Sequence, residues 1–225
     1  MRVFDKEISM TKTMIAIPCM DMVHSAFMES LLGMRREDCM IAIARSSLIY
    51  DARNLLAQKA VKEGYDRILW LDSDMMFHGD LFYKLSADLD EGYGFVSGLY
   101  FTRKGPVKPV VYYETGYEEL NDGSGQYKTY TKSVDDYPKD TIFEIAACGF
   151  GGIMMETSIV AEMYKKFGAP FFPISGFGED LSFCRRCSEM GVKMYCDSRI
   201  KLGHVAQYVV DEDMYLSGDR IRMWD

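Results

Sequence analysis

The chain has 225 residues, 48% of them hydrophobic and 27% charged, a balance that excludes collagen-like, coiled-coil and disordered chains and supplies one α/β core. Asp and Glu number 34 against 26 Lys and Arg, a formal charge of -8. That excludes broad electrostatic capture of nucleic acid or of an anionic membrane surface, and any phosphate-bearing ligand needs a local device.

In chain order, short apolar runs alternate with helical spacing, the pattern of buried strands between helices. Met14 to Ile17 predicts a first strand, followed by a helix with Val23, Ala26, Phe27 and Leu31 on one face. Cys39 to Ala44 predicts a second strand. A helix is expected from an Asp51 N-cap, burying Ala52, Leu55, Leu56 and Ala60 and stopping at Gly64. Ile68 to Leu71 is a fully apolar strand; Leu81, Phe82, Leu85 and Leu89 mark a helix; Phe95 to Tyr100 and Val107 to Tyr113 are further strands around a basic turn.

From Glu114 to Asp140 the pattern dissolves into Tyr, Gly, Asp, Lys and Thr, which predicts a hairpin tip or loop inserted over the sheet. Order resumes at Ile142 to Ala147, passes a turn with Gly149, Gly151 and Gly152, and continues with helices ending at Gly168 and Gly191. Val192 to Cys196 is the expected last strand, and an acidic tail follows His204. The fold expected is α/β, a mostly parallel central sheet flanked by helices. No run reaches the roughly 18 apolar residues of a membrane span, and Arg2, Asp5, Lys6 and Glu7 interrupt any signal-like stretch, so a cytoplasmic protein is expected.

Six cysteines are scattered. Cys184 and Cys187 have CxxC spacing inside a helical pattern, with no second pair to complete a zinc site, and are read as reduced core residues. The sharper signal is Ile68-Leu69-Trp70-Leu71-Asp72-Ser73-Asp74, an apolar strand carrying two carboxylates at its carboxyl end, where open α/β sheets bind ligands. Asp72 and Asp74 are two apart and can address one cation; the alternative is an acidic turn capping the next helix. Glu179 and Asp180 follow Gly178 at a helix start, as catalytic carboxylates or as helix caps. His204 follows Gly203 after the expected last strand, a candidate third ligand if a cation is present.

Strand-DxD, Gly-Glu-Asp helix start and C-terminal Gly-His, in that order, resemble the GT-A class of nucleotide-sugar glycosyltransferases, with the compact bacterial and phage enzymes related to family 2 most alike. Tyr50-Asp51-Ala52-Arg53-Asn54, Ser97-Gly98-Leu99-Tyr100 and Cys148-Gly149-Phe150-Gly151-Gly152 add local likeness, and the resemblance spans about residues 13 to 208. It implies one Rossmann-like GT-A domain, with a nucleotide-binding half over about 11–113, an acceptor half over about 141–208, a Tyr-rich insertion near 114–140 and a tail at 209–225.

The activity implied is metal-dependent transfer from a nucleoside diphosphate sugar, UDP-linked, to an acceptor hydroxyl with inversion. Asp74 and His204 are then ligands of Mn²⁺, or of Mg²⁺, with Asp72 on the metal-bound water or the ribose beside Ser73. Asp180 is the base and Glu179 the second choice. Pro18, Cys19, Arg45 and Arg53 surround the nucleotide, although either arginine alternatively makes a surface salt bridge. Lys104, in the turn Arg103-Lys104-Gly105-Pro106, is read as solvated. The acceptor, be it saccharide, lipid-linked glycan, protein or modified nucleobase, is left open. Competing readings are a nucleotidyltransferase, which needs a basic glycine-rich loop where Pro18-Cys19-Met20 stands; a haloacid-dehalogenase-like phosphatase; and an inert sugar-nucleotide-binding module. By segment, 114–140 holds seven acids and three bases and 205–225 five acids and two bases, so the rest of the chain is close to neutral.

Overall fold

A computed structural model describes residues 11–120 and 126–206. The first half runs β1 (Thr13–Cys19), α1 (Ser25–Gly33), β2 (Met40–Arg45), α2 (Ile49–Lys62), β3 (Arg67–Leu71), β4 (Met75–Phe77), α3 (Leu81–Asp90) and β5 (Phe95–Leu99). The second runs β6 (Val111–Glu119), β7 (Tyr127–Ser133), β8 (Ile142–Ile145), β9 (Ala147–Cys148), β10 (Gly152–Glu156), α4 (Thr157–Phe167), α5 (Glu179–Glu189) and β11 (Met194–His204).

The central sheet has the order β2-β1-β3-β10-β5-β11-β4, with β8 also on β11. Strands β2, β1 and β3 are parallel, β10 runs antiparallel between β3 and β5, and β11 lies parallel to β5. A register shift between Asp197 and Lys201 divides β11, which pairs antiparallel with β8 before it and with β4 after it. The sheet is therefore mixed and mostly parallel, as expected, and the carboxyl ends of β1, β3, β5 and β11 share one edge.

Alternation along the strands explains why both sheet faces are covered. Met14, Ala16, Ile68 and Trp70 join one core with Leu56, Ala57, Ala60, Val160, Met163 and Phe183 from α2, α4 and α5. Ile15, Ile17, Leu69 and Leu71 point the other way, onto Phe27, Leu31, Phe82 and Leu85 from α1 and α3. Gly98 and Gly152 flank Leu202, whose side chain would lie 2.3 and 2.5 Å from a Cβ at these positions, so bare backbone is required where β11 crosses the site.

Several boundaries differ from expectation. Helix α2 begins at Ile49, placing Asp51 in its first turn, and Leu55 is 58% exposed; the inward face centres on Arg53, Leu56, Ala57 and Ala60, which turns Leu55 outward. The strand expected from Val107 starts at Val111 and continues to Glu119, because β6 pairs with β7 across the tyrosine-rich segment. That segment is a hairpin, and β9 extends it to a three-stranded sheet. Its tip at 121–125 and the tail from 207 lie outside the described residues. The last strand runs on to His204 because β4 supplies a second partner. Cys184 and Cys187 are buried free cysteines in α5. No helix among the described residues is long and apolar enough to cross a membrane.

Candidate active site

The DxD segment sits on the shared carboxyl edge, and α3 begins only after β4, so its carboxylates do not cap that helix. Two backbone bonds lock it in place. His24 N–H donates to the Ser73 carbonyl at 3.1 Å, and Asp72 N–H donates to the Gly151 carbonyl at 3.3 Å.

Asp72 and Asp74 have different partners. Arg53, 2% exposed in α2, donates from Nη2 to Asp72 Oδ1 at 2.8 Å and from Nε to Glu179 Oε1 at 3.3 Å. Its guanidinium lies 5.1 Å from the Phe150 ring centre and near Phe171 and Trp70, while Nη1 is buried without a partner. The surface salt bridge allowed for Arg53 is thereby overturned: a planar cation enclosed by aromatic faces joins two carboxylates from distant parts of the chain. Burial lifts the Asp72 carboxyl above its ordinary range, Arg53 opposes this, and Asp74 adds to it.

Asp74 instead faces His204 and Arg103. His204 Nε2 stands 3.4 Å from Asp74 Oδ2, and Arg103 Nη1 bonds the same oxygen. His204 Nδ1 is 3.0 Å from the Phe101 carbonyl; a carbonyl only accepts, so Nδ1 carries the proton and Nε2 is directed at Asp74. Val205 N–H donates to the Asp74 carbonyl at 2.9 Å, tying the end of β11 to the DxD turn. Burial alone would lift Asp74, but the hydrogen bond and charge of His204 and the charge of Arg103 hold it below the ordinary carboxylate range. Burial would likewise lower His204, and Asp74 and the Phe101 carbonyl raise it instead.

Asp74 and His204 fit a divalent cation by donor chemistry: a carboxylate oxygen faces an imidazole nitrogen whose other nitrogen is anchored on a carbonyl, the support that metal-bound histidines usually have. Among the described residues, no three His, Cys, Asp or Glu side chains converge as a ready metal cluster. An oxygen and nitrogen pair with open positions suits Mn²⁺ or Mg²⁺ better than a thiolate-seeking ion. The thiols of Cys148 and Cys187 are pushed up by burial, which removes them as thiolate ligands.

Asp180 lies in the first turn of α5, its Oδ1 accepting from Leu181 N–H at 2.7 Å. Burial first and Glu179 second push its carboxyl up to about 6, against the Leu181 N–H and Arg53, which suits a proton acceptor near neutrality. Glu179 is held by Arg53. Pro18 and Cys19 are buried at the end of β1. Arg45 pairs across from Cys19 on the edge strand β2 and is exposed, beside a groove lined by Ser46, Asp51, Asn54, Leu55 and Tyr164; it does not join the Arg53 ion-pair chain.

Sequence reasoning gave Tyr100 and Arg103 no role at the site, and it allowed a hairpin over 114–140 without its contact to the loop before α5. Tyr100 is 4% exposed, accepts a hydrogen bond from Gly151 N–H at 3.2 Å and packs edge-on against His204. The hairpin clasps the loop before α5: Tyr117 Oη donates to the Ser175 carbonyl at 2.9 Å and Thr129 Oγ1 to the Gly176 carbonyl at 3.0 Å. Tyrosine content was the only sequence signal for that contact.

No protein-family model matches the chain, and no curated protein matches it. Among solved structures, the A197 protein from STIV superposes with a TM-score of 0.61 at 22% identity, covering 87% of this chain and 86% of that one. GalNAc-T7, solved with UDP, GalNAc and Mn²⁺, superposes with a TM-score of 0.55 at 12% identity, covering 87% of this chain. The match takes in 43% of the GalNAc-T7 chain. At such identities the likeness is one of fold, and this chain has the α/β architecture of a GT-A domain.

Proposed function

We propose that the chain is a metal-dependent glycosyltransferase that moves a sugar from a nucleoside diphosphate, UDP in the first instance, to an acceptor hydroxyl with inversion. The observation that carries the reading is the Asp74–His204 pair at the carboxyl edge of the sheet, with Nδ1 anchored on Phe101 and Nε2 aimed at the carboxylate. A GT-A fold neighbour solved with UDP and Mn²⁺ supports it. The single-domain division, with a nucleotide half over about 11–113 and an acceptor half over about 141–208, belongs to the same proposal.

Asp74 and His204 would hold Mn²⁺ or Mg²⁺, which would supply Lewis-acid stabilisation of the leaving diphosphate. Pro18, Cys19 and Ser73 line the nucleotide side, with Arg45 at its rim. Arg53 fixes Asp72 toward the ribose and holds Glu179 away from the role of base. Asp180 accepts the acceptor's proton as that oxygen bonds to the anomeric carbon and the bond from this carbon to the diphosphate oxygen breaks. Such a base contributes about 10²- to 10⁴-fold.

The test is release of UDP from a panel of UDP-sugars with and without Mn²⁺, in the parent chain and in Asp74→Ala. Release that needs the metal and vanishes in the variant supports the reading. No release, together with no thermal shift by UDP and Mn²⁺, overturns it.

A further inference from the structure

We infer that Arg103 is a movable counter-charge that occupies the cation position on Asp74 in the unloaded protein and turns to the diphosphate once a cation and a nucleotide arrive. The inference rests on the glycosyltransferase reading of the site and adds to it a residue for the leaving group.

Three observations carry it. First, Arg103 Nη1 and His204 Nε2 converge on one oxygen, Asp74 Oδ2. A divalent cation on that oxygen would meet a guanidinium already there, and like charges that close repel strongly. Second, the two partners differ in exposure: the side chain of Asp74 is 18% exposed and that of Arg103 51%. The arginine reaches the carboxylate from the open side of the site, and the histidine from the buried side.

Third, the backbone that carries Arg103 is held while its side chain is not enclosed. Thr102 N–H donates to the Lys108 carbonyl at 2.9 Å, and Lys108 N–H returns a bond to Thr102 Oγ1 at 3.0 Å. Thr102 Oγ1 also reaches the carbonyls of Lys104 and Pro106, and Phe101 bridges Pro109. Residues 103–108 are exposed outside this knitted stem. The displacement therefore needs only rotation of a long, half-exposed side chain about a fixed Cα, and the guanidinium stays beside the anion that a cation on Asp74 would recruit.

Energetically the arginine opposes bare cation binding and favours the cation together with a diphosphate, because the anion gives both positive groups a partner. That is positive coupling between metal and nucleotide. Guanidinium to phosphate is a charge-assisted, bidentate-capable pair, so its loss is felt in nucleotide affinity.

The experiment measures Mn²⁺ binding without nucleotide by the electron paramagnetic resonance of free Mn²⁺, and UDP binding at saturating Mn²⁺ by calorimetry. The proteins are the parent, Arg103→Ala, Arg103→Lys and, as a charge-matched control on the same turn, Lys104→Ala. In Arg103→Ala, bare Mn²⁺ should bind roughly two- to tenfold more tightly, as expected for release of a half-exposed ion pair. UDP should bind about tenfold more weakly or worse. Arg103→Lys should recover part of the UDP affinity, and Lys104→Ala should reproduce neither change. Opposite signs for the two ligands are the signature; a purely structural role for Arg103 would weaken both. Weaker or unchanged Mn²⁺ binding in Arg103→Ala, or unchanged UDP binding, overturns the inference while leaving the donor reading intact. A parent chain that binds Mn²⁺ but no UDP overturns the donor reading and this one with it.

Discussion

Arg53 and Asp72 form an ion pair at 2.8 Å in which the arginine side chain is only 3% exposed. Its second branch reaches Glu179, so one guanidinium sets the spacing between the DxD turn and the helix that carries the candidate base. Removing it would strand two carboxylates and open a void beside Phe150. Arg53→Ala should therefore cost about 3–5 kcal/mol of stability, the usual penalty for breaking a buried pair by one partner. Arg53→Lys should lose somewhat less, since an ammonium cannot serve both carboxylates and stack. Denaturant titration checks both, and a loss below about 1 kcal/mol in Arg53→Ala would mean that the pair is a solvated contact.

The Asp74–His204 pair predicts a metal phenotype with a preserved fold. Asp74→Ala and His204→Ala should each abolish Mn²⁺-stimulated turnover of a nucleotide sugar while the circular dichroism spectrum stays unchanged. Near-parental stimulation in either variant would contradict the ligand assignment.

The proposed base, Asp180, whose carboxyl is pushed up to about 6, fixes the sign of the pH dependence. Activity should rise as pH increases through about 6 and then level, since only the ionised form of Asp180 accepts a proton. Its folded value lies above the ordinary 3.8, so the unfolded chain gives up this proton first and Asp180 costs the fold stability as pH rises from about 4 to about 6. Asp180→Asn should consequently lose transfer, keep UDP affinity and melt several degrees higher than the parent at pH 7, from a gain of up to about 3 kcal/mol. Loss of donor affinity with normal single-turnover chemistry would contradict the role of base.

The other face of the sheet holds a second perturbed carboxylate. Asp88, 3% exposed at the end of α3, receives Arg199 Nη2 at 3.2 Å, and Arg199 also grips Asp197. Burial first and the Asp197 charge second push Asp88 up to about 7, with Arg199 opposing. By the same linkage, stability falls as pH rises from about 4 to about 7 through this group. Asp88→Asn should match the parent's melting temperature near pH 3.5 and exceed it at pH 8. A variant that is less stable at both pH values would show that Asp88 is held ionised.

The wound sheet and the line of candidate site residues were legible because both depend on local pattern. Ile68 to Leu71 is apolar without interruption since both faces of β3 are covered, and Asp72 and Asp74 stand out by ending it. The pairing inside the site was not legible. That Arg53 is enclosed by Phe150, Phe171 and Trp70 follows from three separate segments meeting, and a helical arginine reads the same whether solvated or buried. Leu55 misled for the same reason, since spacing alone allows the buried stripe to be centred one residue away. For the segment of β6 and β7 the sequence left hairpin and loop open, because polar, half-exposed strands with only one packed face have the composition of a loop.

That packed face gives a last expectation. The loop before Asp180 passes through Gly176 at φ +82°, and a Cβ there would stand 2.6 Å from Thr129 Cγ2. Phe177 packs edge-on against Tyr117, and Arg185 lies 5.3 Å from the Tyr117 ring centre and 4.9 Å from that of Phe177. The hairpin is thus a wall fixed to the loop that precedes the proposed base by two side-chain bonds and a ring contact. Tyr117→Phe and Thr129→Val each remove one bond to a loop carbonyl, about 1 kcal/mol apiece. Gly176→Ala adds a strained backbone and a close contact, with a larger cost. If the clasp aligns Asp180, the double variant Tyr117→Phe/Thr129→Val should lower kcat several-fold, leave UDP affinity unchanged and keep the pH midpoint of activity near 6. Unchanged kcat in the double variant, with Gly176→Ala altering melting temperature alone, would confine the hairpin to a structural role.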